Sequence, residues 1–262
     1  MKIHFYKYQG TGNDFVILDN RNGDYDALTN EQVAFLCDRR FGVGGDGLML
    51  LQNHSSYDFQ MKYYNSDGRE GSMCGNGGRC LVKFANDIGI EKSHYKFLAV
   101  DGAHEARIGA DGIVSLRMND VTNVIQEGEQ FILDTGSPHF VSLKKNVMEL
   151  DVFNEGRAIR YSDQFKEKGI NVNFIEQTNI PGEIIVRTYE RGVEDETYSC
   201  GTGVTAAAIV ASNKEGANRV DVITKGGKLR VSFDKHGDVY SNIWLHGPAV
   251  RVFEGEITVR GL

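Results

Sequence analysis

Apolar and polar residues alternate along most of this chain, and helical spacing interrupts that alternation at only a few places. Residues 3–8 alternate, and Phe15-Val16-Ile17-Leu18 is a short apolar run closed by Asp19-Asn20. Such patterns predict strands. Thr29 stands as a helix cap before a pattern reaching about Arg40, with Val33, Leu36 and Cys37 on one face. Strands are predicted over 48–51 and, from the alternation of Phe59, Met61 and Tyr63, into the turn Asn65-Ser66-Asp67-Gly68. A second helix follows Cys74, with Cys80, Leu81, Phe84 and Ile88 at helical spacing and an end near Gly89. Strands fit 95–100, 104–108, 113–118, 130–134, 139–143, a stretch near 149–153, 171–176 and 183–189, with a helical turn near 162–167. The helix predicted from 204 to about 213 is rich in Ala, Ile and Val and lacks a polar face at its start, which predicts burial. Strands at 219–224, 228–233, 239–245 and 249–253 complete the pattern.

The pattern starts twice. Thr11-Gly12-Asn13-Asp14-Phe15-Val16 resembles Thr135-Gly136-Ser137-Pro138-His139-Phe140-Val141, 124 residues on. Gln52 and Gln177, 125 apart, end similar strands, and Cys74 and Cys200, 126 apart, end similar strand-turn segments. Three pairs at nearly one offset point to two copies of one unit. A pseudo-two-fold axis relating them would carry Cys74 and Cys200 to opposite sides of a shared cleft.

Those two cysteines are the candidate chemistry. Met73-Cys74-Gly75-Asn76-Gly77 and Ser199-Cys200-Gly201-Thr202-Gly203 each put a thiol before Gly-x-Gly and then enter a helix. Unpaired N–H groups and the positive end of the helix dipole both favour thiolate there. One thiolate and one thiol on opposite walls could remove a proton from one face of a carbon and deliver another to the opposite face. Backbone N–H groups of Gly75, Asn76, Gly201 and Thr202 could hold a carboxylate where negative charge builds. Cys37 and Cys80, on apolar helix faces, read as packing residues. Glu190-Arg191, just before the second loop, is either a solvated ion pair or a clamp for a carboxylate. His139, after Pro138, is either an ordinary strand-end histidine or, from its place in the repeat at the start of a strand aimed at the cleft, a functional group. Gly42-x-Gly44-x-x-Gly47 follows a helix and precedes a strand, the reverse of a dinucleotide site, and reads as a turn.

Composition narrows the classes. Net charge is −7 without a long Lys/Arg run, which argues against nucleic-acid or anionic-membrane partners. No apolar run spans a bilayer, and MKIHFYKYQG lacks a leader pattern. Four cysteines in 262 residues do not form a disulfide scaffold, so free thiols in a cytoplasmic setting are expected. The spacing of Cys74 and Cys80 fits no common zinc motif.

MCGNGGRC, YERGVEDETYSCGTG and KYQGTGNDFV, with His246-Gly247-Pro248-Ala249 near the end, closely resemble the diaminopimelate epimerase family over essentially the whole chain. The resemblance implies interconversion of LL- and meso-2,6-diaminopimelate, serving lysine and cell-wall precursor synthesis, without pyridoxal phosphate, metal or other cofactor. It implies Cys74 and Cys200 as the two bases, assisted by His139 and Glu190. Substrate contacts are implied for Asn13, Asn65, Gly75, Asn76, Asn171, Glu190, Arg191, Gly201 and Thr202. The implied fold is α/β in the α+β sense, with two similar pseudo-symmetric domains and the active site in the inter-domain cleft. Each domain is a barrel-like sheet around a central helix. The expected domains are 1–118 with about 254–262 returning, and 119–253, in a homodimer. Three departures stand out: Gly47 where some members carry Gln, Ser137 where many carry Asn, and Phe253 at a position linked to dimerisation as Tyr. Proline racemase and hydroxyproline epimerase share the two-cysteine plan but read Cys-Gly-His, so Asn76 favours diaminopimelate. Outside enzymes, the alternative is a thiol-bearing or metal-binding protein without catalysis.

Overall fold

The computed structural model describes residues 1–212 and 214–259. The chain divides into two compact units, Met1–Leu116 with the segment from Pro248 onward, and Arg117–Gly247. The boundaries expected above lay at 118/119 and about 253/254. The last three residues of the returning segment, and the expected helix end at 213, lie outside the described residues.

The first unit runs β1 (Lys2–Gly10), β2 (Asn13–Asp19), α1 (Asn30–Cys37), β3 (Gly47–Gln52), β4 (Phe59–Asn65), α2 (Gly75–Asp87), β5 (His94–Ala99), β6 (Gly102–Ile108) and β7 (Val114–Arg117). The second runs β8 (Val124–Glu127), β9 (Gln130–Asp134), β10 (Pro138–Leu143), α3 (Val152–Arg160), β11 (Asn171–Gln177), β12 (Glu183–Glu190), β13 (Asp195–Thr197), α4 (Gly201–Ala211), β14 (Gly216–Thr224), β15 (Gly227–His236) and β16 (Val239–Gly247). The final strand, β17 (Val250–Thr258), pairs antiparallel with β1 from Lys2↔Thr258 to Gln9↔Val250. What the sequence split into a strand at 249–253 and a returning tail is therefore one strand.

The repeat is visible in the pairing. In the first unit β17, β1 and β2 pair antiparallel in turn, β2–β3 is parallel, β3–β4 antiparallel, β4–β5 parallel, and β5–β6 and β6–β7 antiparallel. In the second, β8–β9–β10 are antiparallel, β10–β11 parallel, β11–β12 antiparallel, β12–β14 parallel, and β14–β15–β16 antiparallel. β13 is a short addition to the end of β12. Parallel neighbours need a long crossover, and each helix lies in one: α1 and α3 at the first parallel step, α2 and α4 at the second. By this correspondence β17 fills in the first unit the place that β8 fills in the second. The fold is thus sheet-dominated α+β, built from two repeated halves.

Each half has two apolar layers. Within the first unit α2 packs against β1, β2, β3, β6 and β17, strands from both parts of the sheet, and most of its residues are buried. The other layer lies under α1, where Val33, Leu36 and Cys37 meet Ile3, Phe5, Val16, Leu18, Leu48 and Leu50. Phe15 and Ile17 alternate with Val16 and Leu18 and are equally buried, so β2 is covered on both faces. That explains its unbroken Phe-Val-Ile-Leu run. In the second unit α4 packs against β9, β10, β11, β12, β14, β15 and β16, and α3 covers Phe140, Val172, Phe174 and Tyr189.

α1 starts as the sequence indicates: Thr29 accepts from Gln32 N, and the Gln32 side chain returns to the Thr29 N–H. It ends at Cys37 rather than near 40, because the glycine loop turns back onto it, with Gly42 N bonded to Asp38 O and Gly44 N to Leu36 O. The strand expected near 149–153 is absent. A 3₁₀ turn at Val147–Glu149 leads instead into α3, where Asp151 caps Asn154 N and Arg157 and Arg160 occupy the last turn. The 162–167 stretch makes one hydrogen-bonded turn, with Lys166 N on Ser162 O at 2.9 Å.

One ion cluster pins the start of β2. The Asp14 carboxylate lies 2.6 Å from both Lys7 Nζ and Arg39 Nη2, and Lys7 also donates to Gly44 O. Burial alone would raise the Asp14 pKa, but hydrogen bonds from Arg39 and Lys7 outweigh it and hold the group at about 2. An unfolded aspartate titrates at about 3.9. The resulting stability is therefore complete above about pH 4 and lost as pH falls toward about 2. Asp14→Asn is expected to lower the unfolding free energy in urea at neutral pH by about 2 kcal/mol, and to flatten its decline between about pH 4 and pH 2.

Candidate active site

In the first unit Cys74 is the N-cap of α2 and makes no capping bond with its side chain. Its thiol instead donates to Asn13 Oδ1 at 3.5 Å, and Asn76 Nδ2 donates to the same oxygen at 3.4 Å. The Asn13 amide is oriented from its other end, where Nδ2 donates to the Asp46 carboxylate. Asn76 is oriented by Arg79, whose Nη2 donates to Asn76 Oδ1 at 3.0 Å and to Thr11 Oγ1 at 3.1 Å, while Nη1 reaches Gly75 O at 3.3 Å. Arg79 is fully buried, and no carboxylate pairs with it among the described residues. Burial lowers its pKa, and the Cys80 and Cys74 sulfurs oppose that effect. The guanidinium thus ties the first turn of α2 to the β1–β2 turn.

Asn65 ends β4 and is exposed, its backbone N donating to Arg69 O at 2.9 Å. No hydrogen bond among those described joins its side chain to Cys74, and it lies instead beside Gly71. Gly47 has a local reason. A Cβ there would stand 2.5 Å from the Tyr63 ring and 2.5 Å from Tyr64 O, so Tyr63 occupies the space beside this position. Cys37 and Cys80 are buried, and burial pushes each thiol up to about 12. Neither is a thiolate near neutral pH.

In the second unit Cys200 is the N-cap of α4, again without a side-chain capping bond. Its sulfur lies 3.4 Å from Thr202 Oγ1. Thr202 Oγ1 lies 3.3 Å from Ser137 Oγ, and Ser137 Oγ lies 3.1 Å from His139 Nε2. Asn171 Nδ2 donates to Ser137 Oγ at 3.0 Å and to Pro138 O at 3.1 Å, while its Oδ1 accepts from Arg191 N at 2.9 Å. Register explains the grouping, since His139 pairs with Asn171 across the parallel β10–β11 step. Behind them Asn173 Nδ2 meets His139 Nδ1 at 3.1 Å, and Asn173 Oδ1 accepts from Thr188 Oγ1 at 2.9 Å. Gly203 lets α4 approach this asparagine, because a Cβ would fall 2.4 Å from Asn173 Oδ1. His139 is fully buried, and burial, helped by the Arg191 charge, lowers its pKa to about 3. The ring is neutral at physiological pH. Glu190 ends β12, where its Oε2 accepts from Thr197 Oγ1 at 2.8 Å.

Of the residues singled out by sequence, Asn13 and Asn76 gather at Cys74. Thr202, His139 and Asn171 gather on the Cys200 side, with the Arg191 backbone attached through Asn171. Sequence reasoning did not single out Asp46, Tyr63, Arg79, Asn173 or Thr188. The available signal was polarity in the wrong place: Asn173 interrupts Val172-Asn173-Phe174-Ile175, and Arg79 precedes Cys80 on a buried helix. Among the described residues no three His, Cys, Asp or Glu side chains form a group that could hold a metal ion, and no helix is long and apolar enough to cross a membrane.

The diaminopimelate epimerase family model matches residues 5–124 and again 131–252. A diaminopimelate epimerase of Flavobacterium psychrophilum is 51% identical over 257 residues, covering 97% of this chain and 100% of that protein. One from Chlorobaculum tepidum is 44% identical, covering 95% and 99%. Among solved structures, a phenazine biosynthesis protein of Bacillus anthracis superposes with a TM-score of 0.77 at 16% identity, covering 99% and 100%. A hydroxyproline epimerase from Agrobacterium vitis gives 0.68 at 12%, covering 98% and 92%; at such identities both likenesses speak to the fold alone. The family match spans both repeated halves, each with its own Cys-Gly-x-Gly helix start, and the chain belongs to the diaminopimelate epimerase family.

Proposed function

We propose that this protein interconverts LL- and meso-2,6-diaminopimelate, with Cys74 and Cys200 as the two bases and no bound cofactor. The observation that carries the reading is that corresponding places in the two halves hold the same device, a cysteine N-cap on a buried helix that begins Gly-x-Gly. In the forward direction one sulfur, as thiolate, takes the Cα proton, and the other, as thiol, protonates the opposite face. The reading requires both sulfurs to reach one carbon. Charge that develops at Cα spreads into the α-carboxylate, which the first N–H groups of α2 and α4 (Gly75 and Asn76, Gly201 and Thr202) would receive.

Asn13, Asn65, Asn171, Glu190 and Arg191 are assigned to substrate recognition, where amides and a guanidinium suit the distal ammonium and carboxylate that do not react. His139 and Glu190 are assigned to assist the thiols. With its ring neutral, His139 serves as a hydrogen-bond partner rather than as a standing positive charge. The expected assembly is a homodimer in the cytoplasm.

The test is turnover of LL-diaminopimelate to the meso isomer, followed by chiral separation, with proline and hydroxyproline as control substrates. The wild type is expected to turn over diaminopimelate alone, and Cys74→Ala and Cys200→Ala each to lose about a thousandfold or more of that rate. Undiminished turnover in either variant would refute the two-base assignment. Turnover of proline without diaminopimelate would refute the substrate.

A further inference from the structure

The polar groups from His139 to Thr202 take a direction fixed by the amides behind them. Asn173 Nδ2 donates to Phe140 O at 3.1 Å, and Asn173 Oδ1 accepts from Thr188, so the amide orientation is fixed. His139 Nδ1, facing that NH2 group, must accept. The ring proton therefore sits on Nε2 and is donated to Ser137 Oγ. Asn171 is fixed in the same way by Pro138 O and Arg191 N, and it too donates to Ser137 Oγ. With two donors aimed at it, Ser137 has its own proton to give, and Thr202 Oγ1 receives it. That leaves the Thr202 proton available to Cys200 Sγ, 3.4 Å away.

The corresponding positions of the first half are wired the opposite way. Asn13 stands 124 residues before Ser137, and Asn76 stands 126 before Thr202. There the Asn13 carbonyl, held by Asn76 and Asp46, accepts a bond from the Cys74 thiol. An amide pair in one half is replaced by a hydroxyl pair in the other.

We propose that Ser137 and Thr202 are positioning residues that deliver a hydroxyl hydrogen bond to the Cys200 sulfur and thereby favour its thiolate in the ligand-free protein. A thiolate accepts such a bond strongly, and a thiol accepts it weakly. The assignment itself needs only the ligand-free chain; its bearing on catalysis rests on the two-base reading. Burial and the Arg191 charge keep His139 neutral down to about pH 3, so its donation persists through the working range. Among the strands packed against α4, β10 brings His139, β12 brings Glu190 and leads to Arg191, and β16 brings His246, which is bonded to Ser232 at 2.9 Å. Substitution at Thr202 removes none of these groups. Ser137 is half-buried, and the role proposed for it is carried by its bonds to His139, Asn171 and Thr202.

The test follows iodoacetamide alkylation of Cys200 in the intact, ligand-free protein, resolved from Cys74 by peptide mass spectrometry, over about pH 5 to pH 10. Accessibility scales the plateau of such a profile, whereas the hydrogen bond moves its midpoint. Thr202→Val is expected to raise the Cys200 midpoint by about one pH unit, a tenfold loss of thiolate below the midpoint. Thr202→Ser should keep the wild-type midpoint, Ser137→Ala should raise it by a smaller amount, and the Cys74 midpoint should stay in place throughout. A Cys200 midpoint unchanged in Thr202→Val, or raised equally in Thr202→Ser, overturns the proposal. Should Thr202→Val fail to fold, Ser137→Ala decides, and an unchanged midpoint there overturns it. The predicted shifts in a protein that does not turn over diaminopimelate would uphold the wiring and refute the epimerase reading.

Discussion

The structure turns on two helix starts that lack caps. α1 and α3 each begin on a side chain that accepts a backbone N–H, from Thr29 and from Asp151. α2 and α4 begin on Cys74 and Cys200, which make no such bond. An absent cap costs a helix about 1 kcal/mol, and the cost is tolerated because both helices are buried by the sheet strands around them. In return, the first N–H groups and the positive end of each dipole remain next to a thiol. α1 and α3 are closed by side-chain caps, and α2 and α4 are left open at the end where the two thiols stand.

The two halves share strand pairing but not polar wiring. The same antiparallel and parallel steps recur in both, with helices at the same crossovers. Arg79 and Thr205, 126 residues apart, each donate to the carbonyl of the first helical residue, Gly75 and Gly201. Beyond that the surroundings differ. The first half orients amides between a buried guanidinium and Asp46. The second orients hydroxyls from a neutral histidine. A duplicated scaffold can hold equivalent backbone while its side chains give the two sulfurs different hydrogen-bond partners, an amide carbonyl at Cys74 and a hydroxyl at Cys200.

Much of this was legible in the sequence because it rests on local rules. The apolar run at β2 reports a strand covered on both faces, and Thr29 with Gln32 reports a capping box. The Cys-Gly-x-Gly pair reports two helix starts, and the offsets near 125 report duplication. What escaped depends on contacts distant in sequence or on short ambiguous runs. Leu150, Val152 and Phe153 suit a strand or a helix equally, and only the Asp151 cap with the Arg157 and Arg160 end favours the helix. β8 and β13 are four and three residues long, below what periodicity resolves. The roles of Asp46, Asn173 and Thr188 follow from amide orientation, which no spacing encodes. Ser137, a departure from the family pattern when taken alone, acquires a partner set only when β10, β11 and α4 come together.

The central claim is that two sulfurs, not one, handle the proton. The most direct measurement runs LL-diaminopimelate in D2O and samples Cα deuterium in both isomers well before equilibrium. Two bases on opposite faces predict deuterium at the inverted centre of the meso product while recovered LL substrate keeps its protium. Early deuterium in both isomers to the same extent would mean that a single group both removes and returns the proton, and would contradict the account.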